Sequence, residues 1–214
     1  MSYQAVIGYV HGGLVRAEFC ASMLAAMRSP LLDEPVAVVS GPNVSEGRNL
    51  AVARFLNERD APWLLMVDTD MVFAPDAPAR LISAADPAER PVVGALCYLK
   101  DANGDARPMM YDTVTGADGQ PGFIYYRPGP DDGCVRVAAT GAAFLLMHRQ
   151  ALEKIRAETG ETAAPWFRES VAGDSLIGED MTFCLRAAAA GIPVHVDTRV
   201  QVGHVKSGII GKVT

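Results

Sequence analysis

The sequence predicts an α/β fold in which a layered sheet carries helices on both faces. Strand-like and helix-like segments alternate along the chain, which is the order that produces such a sheet. The run Trp63–Val67 consists only of apolar residues, as strands of a parallel sheet do when both faces are covered. The chain has 214 residues, of which 50% are hydrophobic, so it can bury a full core in a single domain.

The alternation is clearest in the first part of the chain. An apolar run predicts a strand over Tyr3–Val10, and apolar residues at four-residue spacing predict a helix over Leu14–Arg28. A short second strand is predicted at Pro35–Ser40, and a helix with one apolar face at Ser45–Arg59. Another helix is predicted at Asp76–Ala85, where the aspartate is placed to cap the first turn.

The rest of the chain repeats this alternation. Apolar runs predict strands at Pro91–Leu96, Val135–Met147 and Pro193–Asp197. Helical patterns predict helices at Arg149–Glu158 and Glu179–Ala190, and the glycine after the second one is suited to end it.

Two stretches lack this regularity. Glycine and proline concentrate between Lys100 and Gly133, where Phe123–Tyr126 predicts a hairpin strand, and Thr159–Ile177 is predicted to be a loop. A long irregular segment inside a compact domain usually serves a function.

Composition excludes some classes of protein. The net charge of −6 gives no overall basic surface for nucleic acid, although a local basic groove is compatible with it. We find neither a signal peptide nor an uninterrupted apolar run long enough to span a membrane, and the four cysteines form no C-x-x-C pair. We therefore expect reduced thiols, no membrane partner and a cytoplasmic location.

Asp68 and Asp70 follow the apolar run Trp63–Val67, separated by a single threonine. In open α/β sheets, ligands bind beyond the carboxyl ends of the strands. Two hard oxygen ligands at such a place suit Mn²⁺ or Mg²⁺, and such a cation suits a diphosphate. The alternative interpretation is a strand that ends in a polar turn.

A second acidic pair, Glu179-Asp180, begins the last predicted helix. Acidic residues in a first turn stabilise the helix dipole without any further role, but a carboxylate held over a site can also accept a proton from a hydroxyl. His204 lies beyond the last strand. It is either an ordinary surface or core residue or a further metal ligand, because imidazole binds Mn²⁺-like ions alongside carboxylates.

In combination these segments resemble the GT-A glycosyltransferases, in particular the family-2-like group and its short bacteriophage-type members. The segments that carry the resemblance are Val6–Val10 with the glycine loop after it, Ser45–Leu56, Val67–Phe73, Ala139–His148, Trp166–Phe167, Gly178–Cys184, Ala190–Asp197 and Gly203–Lys206. Their order and spacing are more specific than any one of them. The resemblance implies a Rossmann-like mixed sheet flanked by helices in a single domain, residues 1–206, with an acceptor-side excursion at 100–133 and a short tail at 207–214.

The resemblance also implies roles for the acidic residues and the histidine. Asp70 would bind the metal, Mn²⁺ or Mg²⁺, directly, and His204 would be a further ligand of the metal or of the diphosphate. Asp68 would contact the nucleotide ribose or reach the metal through water. Asp180 would be the catalytic base of an inverting transfer, with Glu179 supporting it or binding the acceptor.

Further residues are implied in substrate binding. The nucleotide-sugar contacts would come from His11, Gly12, Arg48, Asn49, Asp68, Gly141 and Lys206. Trp166 and Phe167 would face the acceptor, with Trp166 as an apolar platform; the alternative for Trp166 is a buried loop anchor. Other acceptor contacts would come from 96–133 and 159–177.

The implied activity is transfer of a sugar from a nucleoside-diphosphate sugar, expected to be a UDP-sugar, to a hydroxyl. The acceptor is a hydroxymethylated base in phage DNA, a protein or a saccharide. A DNA acceptor would need a basic strip, for which the candidates are Lys100, Arg107, Arg127 and Arg136.

Two other functional classes remain as alternatives, a nucleotidyltransferase and a non-catalytic nucleotide-sugar-binding protein. The loop His11–Arg16 lacks the closely spaced glycines and the lysine that cradle a triphosphate. The sequence leaves the oligomeric state open.

Overall fold

The protein is described from a computed structural model, which covers residues 3–41, 43–101, 103–115, 121–129, 132–172 and 175–205. The strands are β1 (Ala5–His11), β2 (Leu32–Val39), β3 (Trp63–Val67), β4 (Met71–Val72), β5 (Val92–Leu96), β6 (Tyr98–Lys100), β7 (Ala106–Pro108), β8 (Met110–Thr115), β9 (Pro121–Tyr125), β10 (Cys134–Val137), β11 (Ala139–Thr140), β12 (Phe144–His148), β13 (Ser170–Ala172), β14 (Ser175–Ile177), β15 (Val194–Gln201) and β16 (Gly203–His204). The helices are α1 (Ala17–Ala26), α2 (Val44–Glu58), α3 (Ala77–Ala84), α4 (Arg149–Thr159) and α5 (Glu179–Ala189).

The described strands build a central seven-stranded sheet in the order β10-β15-β5-β12-β3-β1-β2. Strand β1 is parallel to β2 and β3, so the carboxyl ends of these three strands meet at one edge of the sheet. Strand β12 runs antiparallel to both β3 and β5, and β15 is parallel to β5. The predicted mixed sheet flanked by helices is therefore confirmed, although β3 has a parallel neighbour on one side only.

Helices cover both faces of this sheet, as predicted. One buried cluster joins α2, α4 and α5 to one face, with Phe55, Ile155 and Phe183 fully buried. The other cluster joins α1 and α3 to the opposite face through Phe19 and Leu81. A buried hydrophobic layer on each face explains why β3 is apolar along its whole length.

Two predicted elements differ from the structure. The single strand predicted at Val135–Met147 is divided into β10, β11 and β12, because β10 pairs with β15, β11 with β8 and β12 with β3 and β5. Helix α1 begins at Ala17 rather than at Leu14, whose side chain is 90% exposed. Apolar spacing alone cannot distinguish an exposed leucine in a loop from the first residue of a helix.

Both irregular stretches contain short hairpins. Strands β6 and β7 form one hairpin and β8 and β9 another, and β9 confirms the hairpin strand predicted at Phe123–Tyr126. The loop predicted at Thr159–Ile177 contains the hairpin β13–β14. Its strands are too short to produce a recognisable alternating pattern in the sequence.

The ends of the predicted helices follow local backbone chemistry. Gly191 has φ +67°, the left-handed conformation that glycine adopts most easily, and it follows α5 as predicted. Asp76 does occupy the N-cap position of α3, but its side chain makes no capping hydrogen bond.

Among the described residues, no helix is both long enough and apolar enough to span a bilayer.

Candidate functional site

The first acidic pair lies where the parallel strands β1 to β3 end. The Asp68 N–H donates to the Ala143 carbonyl at 2.9 Å, which continues the pairing of β3 with the chain before β12. The Met71 N–H donates to the Asp68 carbonyl at 3.1 Å and closes a tight turn through Thr69. The loop after β1 joins this turn, since the Arg16 N–H donates to the Thr69 carbonyl at 3.4 Å. This edge of the sheet is where ligands bind in open α/β folds.

Asp70 and His204 form a close pair at this edge. His204 Nε2 is 2.8 Å from Asp70 Oδ2, and the two side chains are 15% and 31% exposed. Strands β4 and β16 hold them together, because His204 is paired with Met71 in an antiparallel ribbon. The Val205 N–H also donates to the Asp70 carbonyl at 2.8 Å. The structure thus brings together two residues that are predicted metal ligands.

The donor chemistry of this pair fits a divalent cation. Adjacent ligands of an octahedral Mg²⁺ with bonds of about 2.1 Å lie about 3 Å apart, close to the observed separation of Oδ2 and Nε2. The other ring nitrogen of His204, Nδ1, faces the Tyr98 carbonyl at 3.3 Å. A neutral imidazole has one N–H, so in the tautomer that donates from Nδ1 to Tyr98, Nε2 carries the lone pair that would bind a cation beside Asp70 Oδ2.

The pair is nevertheless an incomplete metal site. Within the described part of the chain, no group of three His, Cys, Asp or Glu side chains is placed to hold a metal ion. Asp68, predicted as a further ligand, directs its carboxylate to Arg48 instead. The remaining ligands would have to come from substrate oxygens and water, as is usual for Mg²⁺ at phosphate sites.

Arg48 connects the two acidic pairs. Its Nη2 donates to Asp68 Oδ1 at 2.7 Å, and its Nη1 donates to Glu179 Oε1. Arg48 is 4% exposed. Burial alone would lower its pKa, but the charges of Asp68 and Glu179 outweigh that effect and raise the pKa above its usual value. Two of the five N–H groups of Arg48 bind carboxylates in this way, and its predicted nucleotide contact stays a prediction.

Asp180 lies beside this bridge at the start of α5. The Met181 N–H donates to its Oδ1 at 2.8 Å. Burial, followed by the negative charge of Glu179, raises the pKa of Asp180 against the opposing effects of Arg48 and the Met181 N–H. A half-buried carboxylate with a raised pKa is a better proton acceptor than an exposed one, which is what a general base requires.

Gly141 approaches Asp180 from the central sheet. A Cβ atom added there would lie 3.5 Å from Asp180 Oδ2 and 2.2 Å from the Cε atom of Met109. Tyr111 also lies within electrostatic reach of Asp180, and burial raises the pKa of its phenol. Sequence reasoning missed Met109 and Tyr111, since both fall in the irregular region and show no pattern there. The pairing of β11 with β8 is what brings them to Asp180.

Asn49, Trp166 and Phe167 are held by hydrogen bonds within the protein. The Asn49 Oδ1 accepts from the N–H groups of Trp166 and Phe167 at 3.2 and 3.3 Å, and its Nδ2 donates to the Phe167 carbonyl at 2.6 Å. Trp166 is 3% exposed, and its ring N–H donates to the Leu152 carbonyl at 2.8 Å. Phe167 is fully buried. An acceptor platform needs an exposed ring face, so the burial of Trp166 fits the alternative of a loop anchor.

The other predicted nucleotide contacts lie at or beyond the ends of strands. His11 ends β1, and its Nδ1 accepts from the Gly13 N–H at 3.1 Å. Gly12 is exposed in the loop between them. Lys206 lies outside the described residues.

Comparisons with known proteins identify the fold of this chain but no sequence family. No protein-family model matches this sequence, and no curated protein matches it. Among solved structures, the chain is similar to A197 from STIV, with a TM-score of 0.61, 17% identity and coverage of 95% of this chain and 86% of that one.

A second similar structure is that of GalNAc-T7 with UDP, GalNAc and Mn²⁺. Its TM-score is 0.63 at 9% identity, and the match covers 96% of this chain but 44% of that longer chain. At such identities the likeness concerns the fold. The protein therefore has a mixed α/β fold of the GT-A glycosyltransferase type, in agreement with the fold expected from its sequence.

Proposed function

We propose that the protein is a metal-dependent glycosyltransferase, which moves a sugar from a nucleoside-diphosphate sugar, expected to be a UDP-sugar, to a hydroxyl acceptor. The observation that carries the proposal is the arrangement around Arg48. The acidic residues that follow β3 and those that begin α5 lie together at the edge where the parallel strands end. This is the edge at which a GT-A-like fold would receive its donor.

Asp70 and His204 would hold Mn²⁺ or Mg²⁺, whose chemistry when bound is to neutralise charge that develops on the departing diphosphate. The loop after β1, with His11 and Gly12, would supply backbone groups to the nucleotide. Asp68 would contact the ribose through the carboxylate oxygen that Arg48 does not use.

Asp180 would act as the general base. Its carboxylate accepts a proton from the attacking acceptor hydroxyl, and its raised pKa makes it a stronger proton acceptor than an ordinary carboxylate. Gly141 has no side chain, which lets the end of the Met109 side chain pack beside it, close to Asp180 Oδ2. Direct attack on the donor sugar inverts its configuration, so the anomeric configuration of the product, read by NMR, tests this mechanism against retention.

A DNA acceptor would need the basic strip that the sequence predicts around the irregular region. The basic strip predicted for DNA is weakened at Arg107, which forms ion pairs with Asp101 at 2.8 Å and Asp105 at 3.7 Å. Hydroxymethylated DNA, a protein and a saccharide are therefore compared in parallel in the experiment below.

The test begins with purified protein and a panel of nucleotide sugars in the presence of Mn²⁺. Release of nucleoside diphosphate identifies the donor, and the mass increase of DNA, protein or saccharide identifies the acceptor. We expect release from a UDP-sugar that stops when a chelator is added. Binding of a nucleotide sugar without release of nucleoside diphosphate would favour the non-catalytic class, and release of pyrophosphate from a nucleoside triphosphate would favour a nucleotidyltransferase.

A further inference from the structure

We infer that Arg48 is a positioning residue, which joins Asp68 at the end of β3 to Glu179 at the start of α5 and thereby fixes the Asp180 carboxylate relative to the donor-binding edge. The inference rests on the proposed function, because that proposal makes Asp180 the base. It gives Arg48 a role different from the nucleotide contact expected from the sequence.

The guanidinium suits this role by its shape. Its two terminal nitrogens point to different carboxylates, one 20 residues away in the sequence and the other 131 residues away. A planar guanidinium holds both donors in a fixed relation, whereas a lysine ammonium is a single point on a flexible stem. Three elements, α2, β3 and α5, therefore meet at one side chain.

Aromatic stacking provides a second contact between Arg48 and helix α5. The Arg48 guanidinium lies over the ring of Phe167, 5.7 Å from its centroid. Phe167 stacks on Phe183 of α5, with centroids 4.8 Å apart and the ring planes 11° apart. Because Asn49 fixes the backbone of Phe167, the adjacent residues Arg48 and Asn49 both act on the position of α5.

The start of α5 is also attached to the hairpin β13–β14. Ser170 Oγ and Thr182 Oγ1 are 2.8 Å apart, within hydrogen-bond distance. This contact does not reach the donor-binding edge. Arg48 is thus the link between that edge and the turn of helix that carries Asp180.

A positioning role predicts a larger effect on turnover than on donor binding. Misplacement of a reacting group by about 1 Å can reduce the rate by about 100-fold. Arg48→Lys keeps the positive charge but loses the double contact, so we expect kcat for transfer to fall by about 100-fold. We expect KM for the donor and the Kd for UDP with Mn²⁺ to change by less than about threefold.

Arg54→Lys is the matched control. Arg54 lies on the same helix, is exposed, and donates to the Ala37 carbonyl at 3.3 Å, remote from either acidic pair. The same chemical change there should leave kcat, KM and UDP binding unchanged. If Arg48→Lys loses UDP affinity in parallel with kcat, Arg48 is a nucleotide contact and the inference is wrong.

Amide hydrogen exchange provides a readout that does not need activity. Arg48→Lys should accelerate exchange at the start of α5, including the Thr182 N–H that donates to the Gly178 carbonyl at 3.0 Å, by about tenfold. Unchanged exchange there would overturn the positioning role. If the wild-type protein transfers no sugar, the proposed function fails while this measurement still decides the role of Arg48.

Glu179→Gln covers the case in which Arg48→Lys does not fold. Its amide oxygen can still accept a hydrogen bond but carries no charge, so exchange at the start of α5 should rise in this variant as well. In the double variant Arg48→Lys, Glu179→Gln, the losses in kcat should be less than multiplicative, because both changes break one bridge. Fully multiplicative losses would show that the two residues act independently, against the inference.

Discussion

His204 Nε2 lies 2.8 Å from Asp70 Oδ2, although the two residues are 134 positions apart in the sequence. The short ribbon of β4 and β16 produces this contact by pairing His204 with Met71, the residue that follows Asp70. A carboxylate oxygen and an imidazole nitrogen at this distance are suited to neighbouring positions around one divalent cation.

His204→Gln should weaken binding of Mn²⁺ in the presence of UDP by at least about tenfold, because it removes the only nitrogen ligand of the pair. The measurement is titration of Mn²⁺ by electron paramagnetic resonance or calorimetry. His195→Gln, on β15, is the control and should bind Mn²⁺ as the wild type does. Equal affinity for Mn²⁺ in the wild type, His204→Gln and His195→Gln would exclude His204 as a ligand.

Asp180→Asn should reduce transfer by about 100-fold or more while keeping donor binding, since the amide cannot accept the proton. The same variant should be more stable at neutral pH. The folded-state pKa of Asp180 is raised, so the native state binds that proton more tightly than the unfolded chain does, and stability falls as pH rises through the folded pKa.

Thermal unfolding followed at two pH values measures this effect. At pH 7 the variant should have a higher Tm than the wild type, because the neutral amide avoids the cost of a buried charge beside Glu179. Well below pH 4 the difference should vanish, because Asp180 is then protonated in both states. Retained turnover, or a lower Tm at pH 7, would contradict the assignment.

Trp166→Phe should affect stability rather than acceptor binding. The substitution removes the ring N–H that donates to the buried Leu152 carbonyl, which should cost about 1–3 kcal/mol. Chemical denaturation measures the loss, and the acceptor KM should stay within about twofold of wild type. A large rise in the acceptor KM without loss of stability would restore the platform interpretation.

Arg149→Lys should destabilise the fold without changing donor kinetics. The Arg149 guanidinium donates to the carbonyls of Leu56 at 2.9 Å and Ala61 at 3.3 Å, and it lies 4.6 Å from the ring centroid of Phe55. These contacts satisfy the carboxyl end of α2, which an ammonium group cannot do as fully. We expect a loss of about 1–3 kcal/mol in the free energy of unfolding. A change of less than 0.5 kcal/mol, about that of an ordinary surface substitution, would refute the capping role.

The sequence alone predicted the elements that have a strong hydrophobic pattern. Strand β3 has the predicted bounds, Trp63–Val67, because five consecutive apolar residues between polar neighbours allow little else. The pairing of Asp70 with His204 was implied by the resemblance to the GT-A glycosyltransferases, in which both would serve one metal.

Other features depend on contacts that a single sequence does not reveal. The direction of β12 depends on how the chain returns to the sheet, so its antiparallel pairing is not visible in its apolar pattern. The bridge from Arg48 to Glu179 joins two helices with no shared motif, and the arginine could equally have faced a nucleotide. Trp166 had two interpretations of similar weight, and only its burial distinguishes them.

The most direct test of the proposed activity is the release of nucleoside diphosphate from a UDP-sugar by the wild type and by Asp70→Asn, measured side by side at increasing Mn²⁺. The wild type should release diphosphate in a Mn²⁺-dependent manner that an acceptor accelerates, and Asp70→Asn should lose at least about 100-fold of that rate. The absence of release by folded wild-type protein with every nucleotide sugar, or an undiminished rate in Asp70→Asn, would contradict the proposal.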